Sequence, residues 1–207
     1  MNYSIPTTIV DNFFNDPIEV REFALKQEFT SDPTNNYPGK RTESVAKLNL
    51  ALYQHVLDRF HSVFYSSLSE IEECNASMTF QLIDKTFKSG WVHRDSTIFS
   101  GLIYLNPLPN PEGGTTIYKP LYTGTTEMSL EGNQSRSEED KLKNNSNFAE
   151  SIVIKNQFNR LIAFDSRQFH AAINFFGDTD QTSRLTLVFF IERLITDKLP
   201  MQRAYFI

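Results

Sequence analysis

Residue types that bind divalent metals fall at a spacing that lets them converge. In Trp91-Val92-His93-Arg94-Asp95 an imidazole and a carboxylate stand two residues apart. On an extended backbone side chains i and i+2 leave the same face, so both can reach one ion. A further imidazole, His170, comes just after the strand-like run Arg160–Phe164. Two neutral imidazoles and one carboxylate on one face of an octahedron leave three positions open, the arrangement that non-haem iron(II) oxygenases need. A His-x-Asp pair alone is a common accident, and a lone histidine is more often a surface or satisfied core residue than a ligand. His55 and His61, in a helical stretch, are read that way.

A cation with an unusual setting lies downstream. Arg184-Leu185-Thr186-Leu187-Val188-Phe189-Phe190-Ile191 alternates so that Arg184, Thr186 and Val188 share one strand face and Leu185, Leu187 and Phe189 the other. A guanidinium in an otherwise apolar strand is costly unless a carboxylate meets it, and its planar fork suits a carboxylate bidentately. The partner is either a protein Asp or Glu or the carboxylate of a ligand.

The elements that must position these groups change character along the chain. Asp16-Pro17-Ile18-Glu19 has an N-cap acceptor, a first-turn proline and a carboxylate three residues on, which predicts a helix to about Glu28. Apolar Leu52, Val56, Phe60, Val63 and Phe64 form one face at helical spacing and predict a second helix from about Asn49 to Tyr65. From Ser77 onward the pattern predicts short strands at Thr79–Ile83, Trp91–His93, Ser100–Leu105, Thr115–Tyr118, Ile152–Ile154, Arg160–Phe164 and Arg184–Ile191. Helices followed by many short strands predict an α+β, mainly β fold, a double-sheet jelly roll backed by N-terminal helices. Thr123–Asn147 is polar, nearly free of large apolar residues, and reads as either a lid over the site or a loop without a catalytic role.

Bulk composition narrows the function classes. The 207 residues suit a single domain with a real core, and 18 phenylalanines imply a thick apolar core. A formal charge of −5 offers no global field for phosphate backbones, so nucleic acid is a disfavoured partner, a local patch at Lys40, Arg41 and Lys47 notwithstanding. Cys74 is the only cysteine, which excludes an internal disulfide and a multi-cysteine zinc site. Neither a signal-peptide pattern nor a membrane-length apolar run is present, and the expectation is a soluble, cytoplasmic protein with no membrane partner.

Several motifs then fall in a particular order: His93-x-Asp95; Tyr104-Leu105-Asn106; Gly113-Gly114-Thr115; Asn159 to Asp165 leading to Phe169-His170; and Arg184-x-Thr186. This order resembles the 2-oxoglutarate/iron(II) dioxygenase superfamily, and within it the prolyl 4-hydroxylase-like branch. The resemblance covers Thr79 to Ile191; Val10 to Phe14, ahead of the first helix, also suits the group but is far less specific.

The resemblance implies a cupin-like double-stranded β-helix in one domain over 1–207, with a helical support region at 1–76, a core at 77–193 and an insertion at 123–147. It implies iron(II) on His93, Asp95 and His170, and the distal carboxylate of 2-oxoglutarate on Arg184 and Thr186. Tyr104 is similar to the strand tyrosine whose hydroxyl joins that pair; its alternative is a core aromatic. Gly113 and Gly114 resemble the turn that starts the strand beneath the site. The implied reaction uses O2 to hydroxylate a C–H bond of a protein residue, amino acid or small metabolite, releasing succinate and CO2. Related halogenases carry a small residue where Asp95 stands, so hydroxylation is the expected outcome. The rival readings are a catalytically silent jelly roll that binds metal or a small acid, a nucleic-acid demethylase of the same superfamily, and a cupin with another metal. The substrate is set by loops such as Pro33–Thr42 and Thr123–Asn147.

Overall fold

The computed structural model describes residues 6–34, 36–87, 89–108, 110, 112–121 and 142–198. Asp16 Oδ1 accepts the Glu19 amide at 3.0 Å and Pro17 opens helix α1, Pro17–Leu25. The helix stops short of Glu28 because Lys26 and Gln27 donate to Phe23 and Ala24, tightening the last turn. Asn49 Oδ1 accepts from Leu52 at 3.0 Å and caps α3, Leu50–Phe64, which buries Val56, Leu57, Phe60, His61 and Phe64 on one face. A short helix α2, Val45–Leu48, precedes it in a stretch for which the sequence predicts none.

The strands are β1 (Thr8–Val10), β2 (Thr30–Ser31), β3 (Lys40–Arg41), β4 (Ile71–Ile83), β5 (Phe99–Tyr104), β6 (Gly114–Pro120), β7 (Phe148–Lys155), β8 (Leu161–Asp165), β9 (Phe169–Ile173) and β10 (Arg184–Thr196). They form one sheet in the order β1-β8-β5-β10-β4-β3-β2 and a second in the order β7-β6-β9, with every pairing antiparallel. Two such sheets face to face, with helices behind the larger one, make the jelly roll that the sequence pattern predicts.

Three differences from the sequence reading have simple causes. The Trp91–His93 strand contracts to a single bridge, His93 to His170, held by reciprocal amide bonds of 3.0 and 2.9 Å on the far side of β9. β4 begins at Ile71 because β10 continues to Thr196 and pairs with it along its whole length. The 1–76 region is not all helical: β1, β2 and β3 extend the larger sheet at its two edges. Strands of two or three residues carry too little alternation to be read from sequence. The expected lid at Thr123–Asn147 lies outside the described residues from 123 to 141.

The period of β10 decides where the core sits. Leu185, Leu187, Phe189 and Ile191 join Phe60, Phe64, Phe80 and Phe99 in a cluster shared by the helices and the larger sheet. Phe60 is its hub, with ring centroids 4.9 Å from Phe64, 5.2 Å from Phe99 and 5.1 Å from Phe189. The cluster between the two sheets is small: Tyr104, Ile117, Ile154, Ile162 and Phe164. The phenylalanines thus thicken the helix–sheet layer, and the space between the sheets is left for a cavity.

Phe60→Ala should cost about 3–5 kcal/mol, as truncation of a well-packed core ring does, measured by urea unfolding. A loss under about 1 kcal/mol would mean that the hub collapses freely. His61, 5 % exposed, packs against Phe60 and Tyr65, and burial pushes its pKa below the ordinary value, with Asp58 opposing. The unfolded chain takes up a proton near pH 6.5 that the folded chain resists, so His61 destabilises the fold as pH drops below about 6.5. His61→Phe should therefore flatten part of the fall in unfolding free energy between about pH 7 and about pH 5. An unchanged slope would show that the imidazole is free to charge in the folded state.

Candidate active site

The His93 bridge to β9 places two imidazoles side by side, with ring centroids 4.4 Å apart. Asp95 is carried two residues further on, where its amide donates to Ser166 at 2.9 Å. His93 Nδ1 lies 2.9 Å from the Trp91 carbonyl and His170 Nδ1 2.9 Å from the Gln168 carbonyl. A carbonyl can only accept, so both Nδ1 atoms carry the proton and both Nε2 atoms keep the lone pair. Those Nε2 atoms face Asp95, at 3.6 Å for His93 and 3.4 Å for His170. One ligand atom from each residue lies within 4.8 Å of the others, and together they are a group able to hold a metal ion. Carbonyls that fix the ring tautomers are the usual outer support of such sites.

The electrostatics keep the trio ready for a cation. Burial would raise the Asp95 carboxyl, but the facing His170 and His93 and a short hydrogen bond from Ser100 hold it well below the usual carboxylate range. Ser100 Oγ also meets Ser166 Oγ at 2.8 Å, and Ser166 Oγ meets Thr97 Oγ1 at 2.8 Å, a hydroxyl chain behind the carboxylate. The His93 pKa is pushed down to about 4 by burial, with His170 adding to the drop and Asp95 opposing it. It is neutral, and so able to bind metal, at physiological pH. Phe164 packs on His170 with ring centroids 4.6 Å apart.

Arg184 is 1 % exposed, and its Nε and Nη2 have no hydrogen-bond partner among the described residues. Burial lowers its pKa, with Tyr104 opposing. The Tyr104 ring lies 5.3 Å from the guanidinium carbon, and its hydroxyl meets Thr115 Oγ1 at 2.9 Å. Thr186, directly across the ladder from Tyr104, is fully buried with Oγ1 unpartnered. The protein carboxylate that could have explained Arg184 is not there among the described residues.

His93, Asp95, His170, Arg184 and Thr115 all line one cavity of about 280 Å³ between the sheets. Of the six site residues that sequence reasoning names, His93, Asp95, His170 and Arg184 line this cavity, while Thr186 stands two residues from Arg184 on the same strand face and Tyr104 lies across the ladder from Thr186 with its ring beside Arg184. It missed Ser100 and Ser166, whose hydroxyls gain meaning only when β5 and the turn after β8 meet, and it missed Tyr37 and Arg41 as cavity residues. The Lys40, Arg41 and Lys47 patch does not make a common basic face: Arg41 lines the cavity and Lys47 pairs with Glu43 at 2.6 Å. At the end of the insertion, Asn145 accepts from the Val92 amide at 2.7 Å and donates to the Gly90 carbonyl at 3.1 Å, bracing the strand segment that leads into His93.

Solved structures share this architecture. HygX from Streptomyces hygroscopicus, with nickel and 2-oxoglutarate bound, aligns with a TM-score of 0.55 at 11 % identity over 92 % of this chain and 84 % of its own. EvdO2 from Micromonospora carbonacea var. aurantiaca, complexed with 2-oxoglutarate, aligns at 0.56 with 13 % identity over 95 % and 90 %. SnoN, a non-haem α-ketoglutarate-dependent epimerase from nogalamycin biosynthesis, aligns at 0.57 with 11 % identity over 90 % and 78 %. The fold is therefore the jelly roll of 2-oxoglutarate-dependent oxygenases. A family model for DUF6445, a family of unknown function, matches residues 2–191, and the chain belongs to that family. No curated protein matches the sequence. Among the described residues no helix is long and apolar enough to cross a membrane.

A buried guanidinium with no counter-ion among the described residues is a liability in the ligand-free protein. Arg184→Met should leave that protein as stable or make it more stable, by about 1–4 kcal/mol in urea unfolding, as replacement of buried charge by apolar side chains often does. A destabilisation beyond about 3 kcal/mol would point instead to a structural ion pair.

Proposed function

We propose that this protein is an iron(II)- and 2-oxoglutarate-dependent oxygenase, with His93, Asp95 and His170 as metal ligands and Arg184, Thr186 and Tyr104 at the distal carboxylate of the co-substrate. The observation that carries this reading is one cavity holding two unmet demands. At one place three metal-binding side chains converge within 4.8 Å, and at another Arg184 is buried with Nε and Nη2 unpartnered. A divalent cation answers the first and a carboxylate the second. Bound together, iron(II) and 2-oxoglutarate supply oxidation of a substrate C–H bond by O2, with C–H becoming C–OH and 2-oxoglutarate becoming succinate and CO2.

The chain's own residues orient and insulate these groups. The Trp91 and Gln168 carbonyls keep the lone pairs of His93 and His170 turned inward, and Ser100 holds the Asp95 carboxylate. Arg184 fixes the far end of the co-substrate from the wall of the larger sheet, where the apolar core behind β10 keeps water away. Thr186 Oγ1, two residues along the same face, is a further free hydroxyl for that carboxylate. The one-domain reading rests on helices and larger sheet sharing a single aromatic cluster. Hydroxylation as the outcome rests on Asp95, and the prolyl 4-hydroxylase-like branch on motif order alone. A cytoplasmic location and a small-molecule or peptide substrate belong to the same reading.

The test is succinate formation from 2-oxoglutarate in air with added iron(II), alongside nickel binding by equilibrium dialysis. The wild-type protein should bind nickel and release succinate slowly even without substrate, and His93→Ala or His170→Ala should lose both. Arg184→Met should keep nickel but lose the thermal stabilisation that 2-oxoglutarate confers on the metal-loaded protein. Nickel binding that survives either histidine substitution, or stabilisation by 2-oxoglutarate that survives Arg184→Met, would overturn the assignment.

A further inference from the structure

Arg41 brings a second guanidinium into the cavity, and the site described so far does not use it. Its position is set by the backbone. Gly39 has φ +78°, and a Cβ there would lie 2.2 Å from the Leu82 carbonyl oxygen, so only glycine lets the chain close onto β4. Arg41 then pairs with Gln81 across the ladder, Gln81 Nε2 donates to the Pro38 carbonyl at 2.9 Å, and Thr42 exchanges bonds of 3.0 and 3.1 Å with Phe80. The segment carrying Arg41 is thus tied down on both sides of the side chain.

The guanidinium itself is held and left unsatisfied. The Tyr37 ring lies 3.9 Å from its central carbon and the Phe190 ring 5.8 Å, so stacking fixes the plane. Nε is buried with no acceptor, and among the described residues no carboxylate forms an ion pair with Arg41. Its charge is nevertheless close enough to be felt by Asp95 and His93. A stacked guanidinium is open along its edge, the approach that suits a planar carboxylate.

A charge count identifies whose carboxylate this is. With iron(II) and 2-oxoglutarate in place, the two carboxylates of 2-oxoglutarate and that of Asp95 balance iron(II) and Arg184. Asp32, the other carboxylate whose charge reaches Arg41, accepts from Thr34 and Asn36 and forms no ion pair with it, and Arg41 is the charge left over. We infer that Arg41 anchors a carboxylate of the primary substrate, so that the site takes a small organic acid. The apolar part of that acid lies against Tyr37, Trp91, Leu102 and Phe190, which line the same cavity. This inference rests on the proposed function, because it assigns both ends of 2-oxoglutarate elsewhere. Arg41 is here a specificity-determining residue.

The experiment uses full-length protein loaded with nickel and 2-oxoglutarate, with phenylacetate and its neutral isostere phenylacetamide as probes in calorimetric titrations. Phenylacetate should bind the wild-type protein about tenfold or more tighter than Arg41→Gln, the loss expected for one charge-assisted hydrogen bond. Phenylacetamide should not distinguish the two proteins. Affinity for 2-oxoglutarate should be the same in both, which also shows that the variant is folded; Arg41→Lys should recover part of the phenylacetate affinity. Equal phenylacetate binding by wild type and Arg41→Gln, including none by either, overturns the inference. So does a tenfold loss of 2-oxoglutarate affinity in Arg41→Gln, which would make Arg41 a co-substrate residue. Failure of the wild-type protein to bind nickel or 2-oxoglutarate is a different result: it removes the proposed function and this inference with it.

Discussion

Arg184 keeps a positive charge out of water with no carboxylate to meet it among the described residues, and much of the surrounding structure follows from that constraint. An unpaired buried charge costs several kcal/mol, on the order of what a single core contact supplies, and it stays buried only where a rigid backbone keeps the side chain from turning out to water. β10 provides that rigidity by running through the middle of the larger sheet, bonded to β4 on one side and β5 on the other. Its outer face is sealed by the helices through Leu185, Leu187, Phe189 and Ile191. One strand therefore serves as both the floor of the core and the wall of the cavity, because its side chains alternate.

The same division explains the aromatic content. A sandwich that filled its interior with phenylalanine would have no room for a ligand. Here Phe13, Phe60, Phe64, Phe80, Phe99 and Phe189 pack between helices and sheet, while the space between sheets holds few apolar residues and the cavity. The layer that supplies most of the hydrophobic stabilisation is thus separated from the layer that holds polar groups with unmet partners. Stability and the capacity to bind are not competing for the same volume.

The metal-binding trio depends on a weaker element. His93 stands in a segment with a single bridge to β9 in place of a full strand, and its support comes from amide bonds with His170, from Ser166 under Asp95 and from Asn145 against Gly90 and Val92. Three separate parts of the chain must be in place before the ligand atoms converge. This arrangement ties the geometry of the site to the end of the insertion, since Asn145 is the point where the chain returns from it.

What the sequence by itself determined was whatever a local period or spacing encodes. His93 and Asp95 share a face because an extended backbone repeats every two residues, and Arg184 with Thr186 is legible for the same reason. The Asp16 and Asn49 caps and the apolar stripe of α3 are equally local. The tertiary structure alone decided which residues of distant segments meet. Arg41 looked like part of a surface basic patch, and it enters the cavity only because two-residue strand β3 pairs with β4 at Gln81. Ser100, Ser166 and Thr97 look like ordinary strand and turn hydroxyls until β5 and β8 bring them behind Asp95. The absence of a protein partner for Arg184 among the described residues was likewise beyond the sequence, because no local spacing tells which acidic side chain of a distant segment comes within reach of a guanidinium.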